Sequence, residues 1–471
     1  MYKHLKKNIY FSIILWIISF VSVYSQNTCT QLIVKKIYIQ GNEKTKEWLI
    51  KLESGIKEGD SIQNNLFFDK LEEVKSNLKR TSLFSNVEIR YVLDIESNCY
   101  IEVTIILTEN WLLFPNAVFE LVDRNFNVWW DEFNHSFKRI NYGLGITHYN
   151  LAGRGVQLKV KIASGYTNKF ELFYKMPYLS ANRNINVGFG ASYIEYKEIA
   201  YKLENNKAVF YAQENQKELK KLSCFTKSEF RLGRKKKLYQ QLEMVSNHGL
   251  DSIKFLNPDF FGNGESKQFY FKGTSGYLWN DYNDPLRPQR GYYFESNLSY
   301  LSDFRNQTIL KLYVNLGKAF EINHYIRLSS RIQSEFSLTR KKPTFNLYNG
   351  IGSQETILNG YELYQINGTD FFNFSQSIYF RLFDFKRSLI KFLNNEPKFK
   401  INLITELFIR FSAAYVKDPF YYKLNDLTNT NLGSFTLGSQ ISINSIIKLE
   451  SNFTVNHLGE TGFYFHTIRV F

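Results

Sequence analysis

From Phe137 to Phe471 the chain is written in short segments in which apolar and polar residues alternate, and this period of two constrains the fold more than any other feature. Val156, Leu158, Val160 and Ile162 interleave with Gln157, Lys159 and Lys161, and Ile326, Leu328, Ile332, Phe336 and Leu338 interleave with Arg327, Arg331 and Glu335. Successive strand side chains point to opposite faces, so each segment has one apolar and one polar face. A sheet of this kind closed on itself pairs its backbone groups internally, offers its apolar face to lipid and encloses a wet, mostly basic lumen. The alternative is a soluble β-sandwich, whose compact, turn-rich spacing fits so many consecutive segments poorly. Positions 136–471 divided among sixteen strands give about 21 residues per strand and connection, against the ~9–11 a strand needs to span a bilayer. The expected fold is mainly β: a transmembrane antiparallel β-barrel of about sixteen strands over 136–471, preceded by one small α+β domain.

Lys3, Lys6 and Lys7 precede an apolar run from Ile9 to Val23, with permissive residues up to Ser25, so residues 1–25 read as a secretory signal peptide. The run is about 15 residues, short of the ~20 that a spanning helix needs. An exported chain meets an oxidising space, and Cys29, Cys99 and Cys224 leave at most one internal pair. Cys29 with Cys99 is the expected bridge; the alternative is two small buried thiols. The net charge of +15 falls to +12 once the first 25 residues, with three lysines and no acid, are removed. The basic runs Arg234 to Lys237 and Arg340 to Lys342 lack any nucleic-acid reader motif and sit between candidate strands. Outer-membrane lipid head groups and lipopolysaccharide fit them better, and no nucleic-acid partner is expected. The polar stretch Lys202 to Lys237 reads as a long loop.

Between Gln31 and Glu109 the pattern changes to strand, helix, helix, strand, strand. Leu32, Val34, Ile37 and Ile39 mark the first strand, Gly41-Asn42 the turn after it, and Thr45 the start of a helix. A second helix over about Asn65 to Thr81 carries Leu66, Leu71, Val74 and Leu78 at helical spacing. Val87, Ile89 and Tyr91, then Ile101, Val103, Ile105 and Leu107, alternate as a hairpin. Residues 110–135 read as a linker into the barrel.

The strings VKKIYIQGNEKTK, GIKEGD, LKRTSLFSNVEI and IEVTIILTEN, in this order over 31–109, resemble a polypeptide-transport-associated (POTRA) domain. Such a domain implies a docking edge strand for extended segments of unfolded barrel or secreted clients in the periplasm. The barrel resembles the Omp85 superfamily, the surface antigen D15 group containing BamA and TamA. DRNFNVWW (Asp123 to Trp130), HYNLAGRG (His148 to Gly155), YKMPYL (Tyr174 to Leu179) and NDPLRPQRGYYFE (Asn283 to Glu295) carry the likeness. The most diagnostic string is ILNGYELYQING, Ile357 to Gly368, which resembles the family's inward-folded loop with its Arg-Gly-Tyr or Arg-Gly-Phe core. Here Asn359 stands where the family carries arginine, before Gly360 and Tyr361, and the family's acidic partner falls by spacing on Ser412. Asn359 and Ser412 are expected to bond as a neutral replacement of the ion pair, so Asn359→Arg alone should bring no stability without Ser412→Asp.

The resemblance further implies that the barrel's first and last strands meet at a seam which assembly members open to a client strand. Ile140, Tyr142, Leu144 and Ile146, with Gly143 and Gly145 between them, are expected to form the first strand; Phe463, Phe465 and Phe471, after Gly459 and Gly462, the last. Terminal aromatics also suit a membrane-interface belt. Seven histidines form no metal-spaced pair, and the hydrolase shortlist Ser246, Asn247, His248 and Asp251 lacks a nucleophile elbow, so no enzymatic activity, metal or cofactor is expected. The expected function is assistance to the insertion or translocation of β-rich clients at the cell outer membrane, with accessory lipoproteins as further partners. A dedicated polypeptide secretion pore and a passive porin-like channel are the alternatives.

Overall fold

A computed structural model describes residues 29–81, 83–94, 99–177, 179, 184–213, 216–233, 235–284, 286–304, 307–352, 356–389, 399–443 and 447–469. The signal segment 1–25 and Phe471 lie outside the described residues. The chain divides into two compact units, with the main boundary after Trp111.

The smaller unit runs β1 (Gln31–Gln40), α1 (Glu47–Ser54), β2 (Ser61–Gln63), α2 (Phe67–Arg80), β3 (Phe84–Asp94) and β4 (Tyr100–Glu109). Its sheet has the order β2-β1-β4-β3, with β1 parallel to β4. The order expected from sequence is present, with the three-residue β2 added between the helices. α1 stops at Gly55, whose left-handed φ of 70° suits a residue without Cβ. Phe67, Leu71, Val74 and Leu78 form the buried stripe of α2, while Leu66 is 49% exposed, so Phe67 and not Leu66 sets the register of that face. Cys29 and Cys99 are bridged with their Cα atoms 5.7 Å apart, joining the approaches to the paired strands β1 and β4.

The larger unit is built on one sixteen-stranded sheet. Its strands are Leu113–Leu121, Ile140–Leu151, Val156–Gly165, Thr167–Met176, Ile185–Tyr196, Leu219–Arg231, Lys236–Gly249, Lys267–Asn280, Gly291–Ser302, Thr308–Glu321, Ile326–Ser337, Asp370–Leu389, Phe399–Lys417, Asn431–Ile443, Ile447–Asn456 and Thr461–Arg469. Each pairs antiparallel with the one before it in this order. Long antiparallel strands joined in sequence need only short connections at one rim, which leaves the chain's spare length for the other.

Two expectations are corrected here. The sheet begins at Leu113, inside the segment read as a linker over 110–135, so the strand of Gly143 and Gly145 is the second and not the first. Pro115 disguises the first strand: proline cannot donate to a ladder, but a strand paired on one side only tolerates it. Lys202 to Lys237 is no long loop either, since it holds most of a two-stranded hairpin, Glu198–Glu204 with Lys207–Ala212, and then a barrel strand.

The sheet is apolar outside and polar inside, the reverse of a soluble domain. Leu144, Ile146, Leu242, Phe411, Leu437 and Phe453 stand exposed on the outer face, while Asn315, Gln333, Thr436, Asn452 and Thr454 are buried on the inner one. An outer apolar surface repeated around the strands is what a bilayer interior covers at no polar cost. The basic residues of the interior carry acidic partners: Lys161 pairs with Glu120 at 2.7 Å, Lys311 with Glu335 at 2.7 Å, and Lys237 with Glu229 at 2.8 Å. Charges held away from water need partners, so alternation brings both signs to the inner parity. No described helix is long and apolar enough to cross a membrane.

Candidate functional site

The connection from Leu338 to Thr369 turns back into the barrel. Ile351, Leu358, Tyr361 and Ile366 pack with Phe371, Ala414, Val416 and Leu432 of the wall in one buried cluster. At the tip, Gly360 has φ of +83°, and a Cβ there would lie 2.9 Å from Thr454 Cγ2 and 3.2 Å from Ser434 Cβ. Only glycine combines that backbone with so close an approach to the wall. Its N–H donates to Glu362 Oε2 at 2.7 Å, and its carbonyl accepts from Asn456 Nδ2 at 3.0 Å. The Tyr361 hydroxyl donates to the Gly433 carbonyl at 3.1 Å, accepts from the Gly433 N–H at 3.2 Å and also meets His457 Nδ1. Burial raises the Tyr361 phenol above its ordinary range, which keeps it neutral. Burial, followed by the nearby Glu460 carboxylate, pushes Tyr364 up to about 12.

Asn359 does not pair with Ser412. Its Oδ1 accepts from Arg410 Nη1 at 3.0 Å, and the same guanidinium donates to Glu450 Oε1 at 2.7 Å, Tyr379 Oη at 3.0 Å and Ser377 Oγ at 2.9 Å. Ser412 lies two residues along the same inward face, and its buried hydroxyl has no partner among the described residues. Spacing identified the correct face, but the long arginine side chain reaches the loop where serine does not. The polarity of the contact is thus reversed from the expected pattern: the wall supplies the cation and the loop a neutral acceptor.

A second buried cluster lies deeper. Glu406 Oε1 pairs with Arg287 Nη2 at 2.7 Å, and its Oε2 pairs with Arg327 Nη2 at 2.7 Å. Arg327 also stacks 3.5 Å over the Tyr379 ring, and Gln440 donates to Glu406 at 3.2 Å. Arg287 belongs to the connection 281–290, so that turn also folds inward. Sequence reasoning passed over Arg287, Arg327, Glu406, Arg410 and Glu450. The signal that finds them is a charged residue on the polar parity of a strand, or in the turn string NDPLRPQRGYYFE, with an opposite charge two or more strands away.

The other half of the site is the sheet's two ends. The first strand pairs only with the second, the last only with Ile447–Asn456, and no hydrogen-bonded pairing joins the two among the described residues. Among the described residues the sheet thus has two edge strands that meet no ladder partner at the seam. DRNFNVWW, expected before the barrel, forms the connection after the first strand and includes a short helix, α3 (Phe126–Asp131). Asn125 caps α3 by accepting from Val128 N–H at 2.9 Å and donates to the Glu362 carbonyl at 2.7 Å, while Arg124 donates to the Leu363 carbonyl. Asn127 faces the last strand: its Oδ1 accepts from the Phe465 N–H at 2.9 Å, and its Nδ2 donates to the Phe465 carbonyl at 3.3 Å. Behind α3, Arg139 holds Asp123 at 2.8 Å and Glu198 at 2.6 Å.

Gly143 and Gly145 sit on the second strand, opposite Val118 and Asn116 of the first. A Cβ on Gly143 would lie 2.0 Å from the Ile162 carbonyl, so it is required by strand packing and not by the seam. Gly459 occupies the turn before the last strand with φ +79°, and Gly462 makes room for the Tyr464 ring 2.3 Å from a hypothetical Cβ. Phe463 and Phe465 face outward and are half exposed. In the smaller unit the edge strand β3 exposes Tyr91 and Val92, with the Tyr91 ring beside exposed Phe68 of α2. Of the hydrolase shortlist, Ser246 and His248 lie on the outer face and Asn247 on the inner, so alternation separates them. No group of three metal-binding side chains is present among the described residues.

An apolar-outside, polar-inside antiparallel sheet of sixteen strands with an inward loop defines a transmembrane β-barrel, the fold it shares with the solved structures it resembles. No protein-family model and no curated protein sequence matches the chain. Among solved structures it is similar to BamA from Haemophilus ducreyi lacking POTRA domains 1-3, with TM-score 0.56, 15% identity, and coverage of 93% of this chain and 84% of that one. It is also similar to CdiB from Acinetobacter baumannii, with TM-score 0.53, 12% identity, and coverage of 93% and 74%. CdiB from Escherichia coli gives TM-score 0.50 at 8% identity, covering 94% and 91%.

Proposed function

We propose that this chain is an outer-membrane protein that assists the insertion of β-rich client proteins, with the smaller unit acting as a periplasmic POTRA domain that receives the client. The observation that carries the reading is the seam: among the described residues two strand edges share no ladder hydrogen bonds, within a sheet whose other strands are all paired on both sides. An exposed strand edge templates addition of a further strand, because each added residue satisfies backbone groups on both chains. No nucleotide or cofactor takes part; the folding free energy of the client drives the step. The exposed β3 edge with Tyr91 and Val92 supplies a first docking strip before transfer to the seam.

A conducting pore fits less well. The inward loop and the Arg287 turn occupy the lumen through buried polar contacts that a threaded polypeptide or a solute stream would have to break. The test is reconstitution of the full chain into liposomes and planar bilayers. Faster folding of an urea-unfolded barrel protein into the liposomes, with a largely silent bilayer record, supports the reading. A steadily open conductance with no acceleration of folding replaces it with the channel reading.

A further inference from the structure

Four connections gather at the rim from which the inward loop springs. The hairpin of Glu198–Glu204 with Lys207–Ala212, the short helix α4 (Asp251–Leu256) with the turn after it, the connection 338–369 and the connection 418–430 together wall a cavity of about 270 Å³. Its apolar sides include Leu203, Leu256, Phe345 and Tyr421, and the Phe345 and Tyr348 rings lie 6.0 and 5.0 Å from the Tyr421 ring. Set in this wall is Asp418, only 1% exposed. Its Oδ1 accepts from the Tyr348 hydroxyl at 2.5 Å and from the N–H groups of Phe420 and Tyr421 at 2.9 and 2.8 Å. Its Oδ2 has no hydrogen-bond or ion-pair partner among the described residues. A carboxylate held out of water calls for a counter-charge. The cations nearby are already engaged: Lys202 pairs with Glu204 at 2.6 Å, and Lys342 with Asp259. Burial, followed by the Asp259 and Asp418 carboxylates, pushes the Tyr421 phenol above its ordinary range, in keeping with negative charge beside the ring.

Lys342 shows which chemistry this wall accepts. Its ammonium bonds Asp259 while lying 4.7 Å over the Tyr421 ring, so a carboxylate and an aromatic face together hold one primary ammonium. Asp418 and Tyr421 repeat that pair of partners along the cavity. We infer that the cavity binds a small primary-ammonium compound with an apolar body, its N–H donating to Asp418 Oδ2 and its body lying against Phe345 and Tyr421. A guanidinium fork needs both oxygens of a carboxylate, and three donors already fill Oδ1. A hard metal ion needs a shell of oxygens, and no group of three metal-binding side chains is present among the described residues. The inference goes beyond the assembly reading and needs no client protein.

The test is calorimetric titration of phenethylamine into the full chain in nanodiscs, with the heat of empty nanodiscs subtracted. It runs into the millimolar range, since a ligand of so few atoms binds weakly. Saturable binding is expected. Phenethyl alcohol, which lacks the charge, and phenethyltrimethylammonium, which lacks the N–H, should each bind at least about tenfold more weakly. Asp418→Asn should weaken the amine by a similar factor, and Tyr421→Leu about fivefold through the lost ring face. Heat-modifiable gel migration reports whether each variant folds; where Asp418→Asn does not, the three probes on the unaltered chain carry the test. No saturable binding of the amine, equal affinity for either of the other probes, or full affinity in a folded Asp418→Asn chain overturns the inference.

Discussion

Arg410 carries the inward loop. It is largely but not fully enclosed, with a side chain 11% exposed, and is shared among Asn359, Glu450, Tyr379 and Ser377, so its removal leaves the buried Glu450 carboxylate without its closest cation. Arg410→Met is expected to cost about 3–5 kcal/mol of barrel stability, read as a fall in the temperature of heat-modified gel migration, and Arg410→Met with Glu450→Gln should recover most of it. Asn359→Arg places a second guanidinium against Arg410; it should loosen the loop, read as faster protease cutting between Leu338 and Thr369, and Ser412→Asp should lessen the loss. Gly360→Ala combines a strained φ with a 2.9 Å approach to Thr454 and is expected to cost about 1–3 kcal/mol in the same assay. At this scale the sequence was partly legible. Asn359, Gly360 and Tyr361 were found because a local string carried them, whereas Arg410 was missed because its significance depends on a partner 51 positions away.

Elements were read best where their period was strong. Most of the barrel strands announce themselves by alternation, and α2 by its helical stripe, because each buries one face along its whole length. The first strand did not, since Pro115 interrupts it and its nine residues expose both Phe114 and Phe119, leaving little contrast between faces. The hairpin that reaches into Lys202 to Lys237 was hidden by its short strands: few residues mark its buried face, with Ile199 packed against Ile253, Phe260 and Phe261. The Cys29–Cys99 bridge closes a separation of 70 residues within the smaller unit. Replacing both cysteines by serine should lower that unit's unfolding free energy by about 4 kcal/mol on the chain-entropy account, measured by hydrogen exchange of β1 and β4 in the full chain. On the edge strand β3, Val92→Asp adds charge to the exposed strip and should reduce client crosslinking to the smaller unit with no change in barrel stability.

For the whole molecule, the fold follows from a simple inversion. The apolar parity faces out, the polar parity pairs with itself inside in ion pairs and hydrogen bonds, and among the described residues the sheet is continuous except between its first and last strands. Strand count and inside-out patterning were legible because they are statistical properties of many segments. The seam was not, since pairing between chain-distant strands leaves no local mark. The most direct measurement fixes that seam. Phe126 and Phe465, whose rings touch at 6.0 Å, are each replaced by cysteine in a chain also carrying Cys224→Ser, and the two are joined by a short bis-maleimide. Folding of an unfolded client barrel into liposomes is then timed with the joined and unjoined protein. The account predicts acceleration by the unjoined protein and none by the joined one; equal acceleration by both would contradict it.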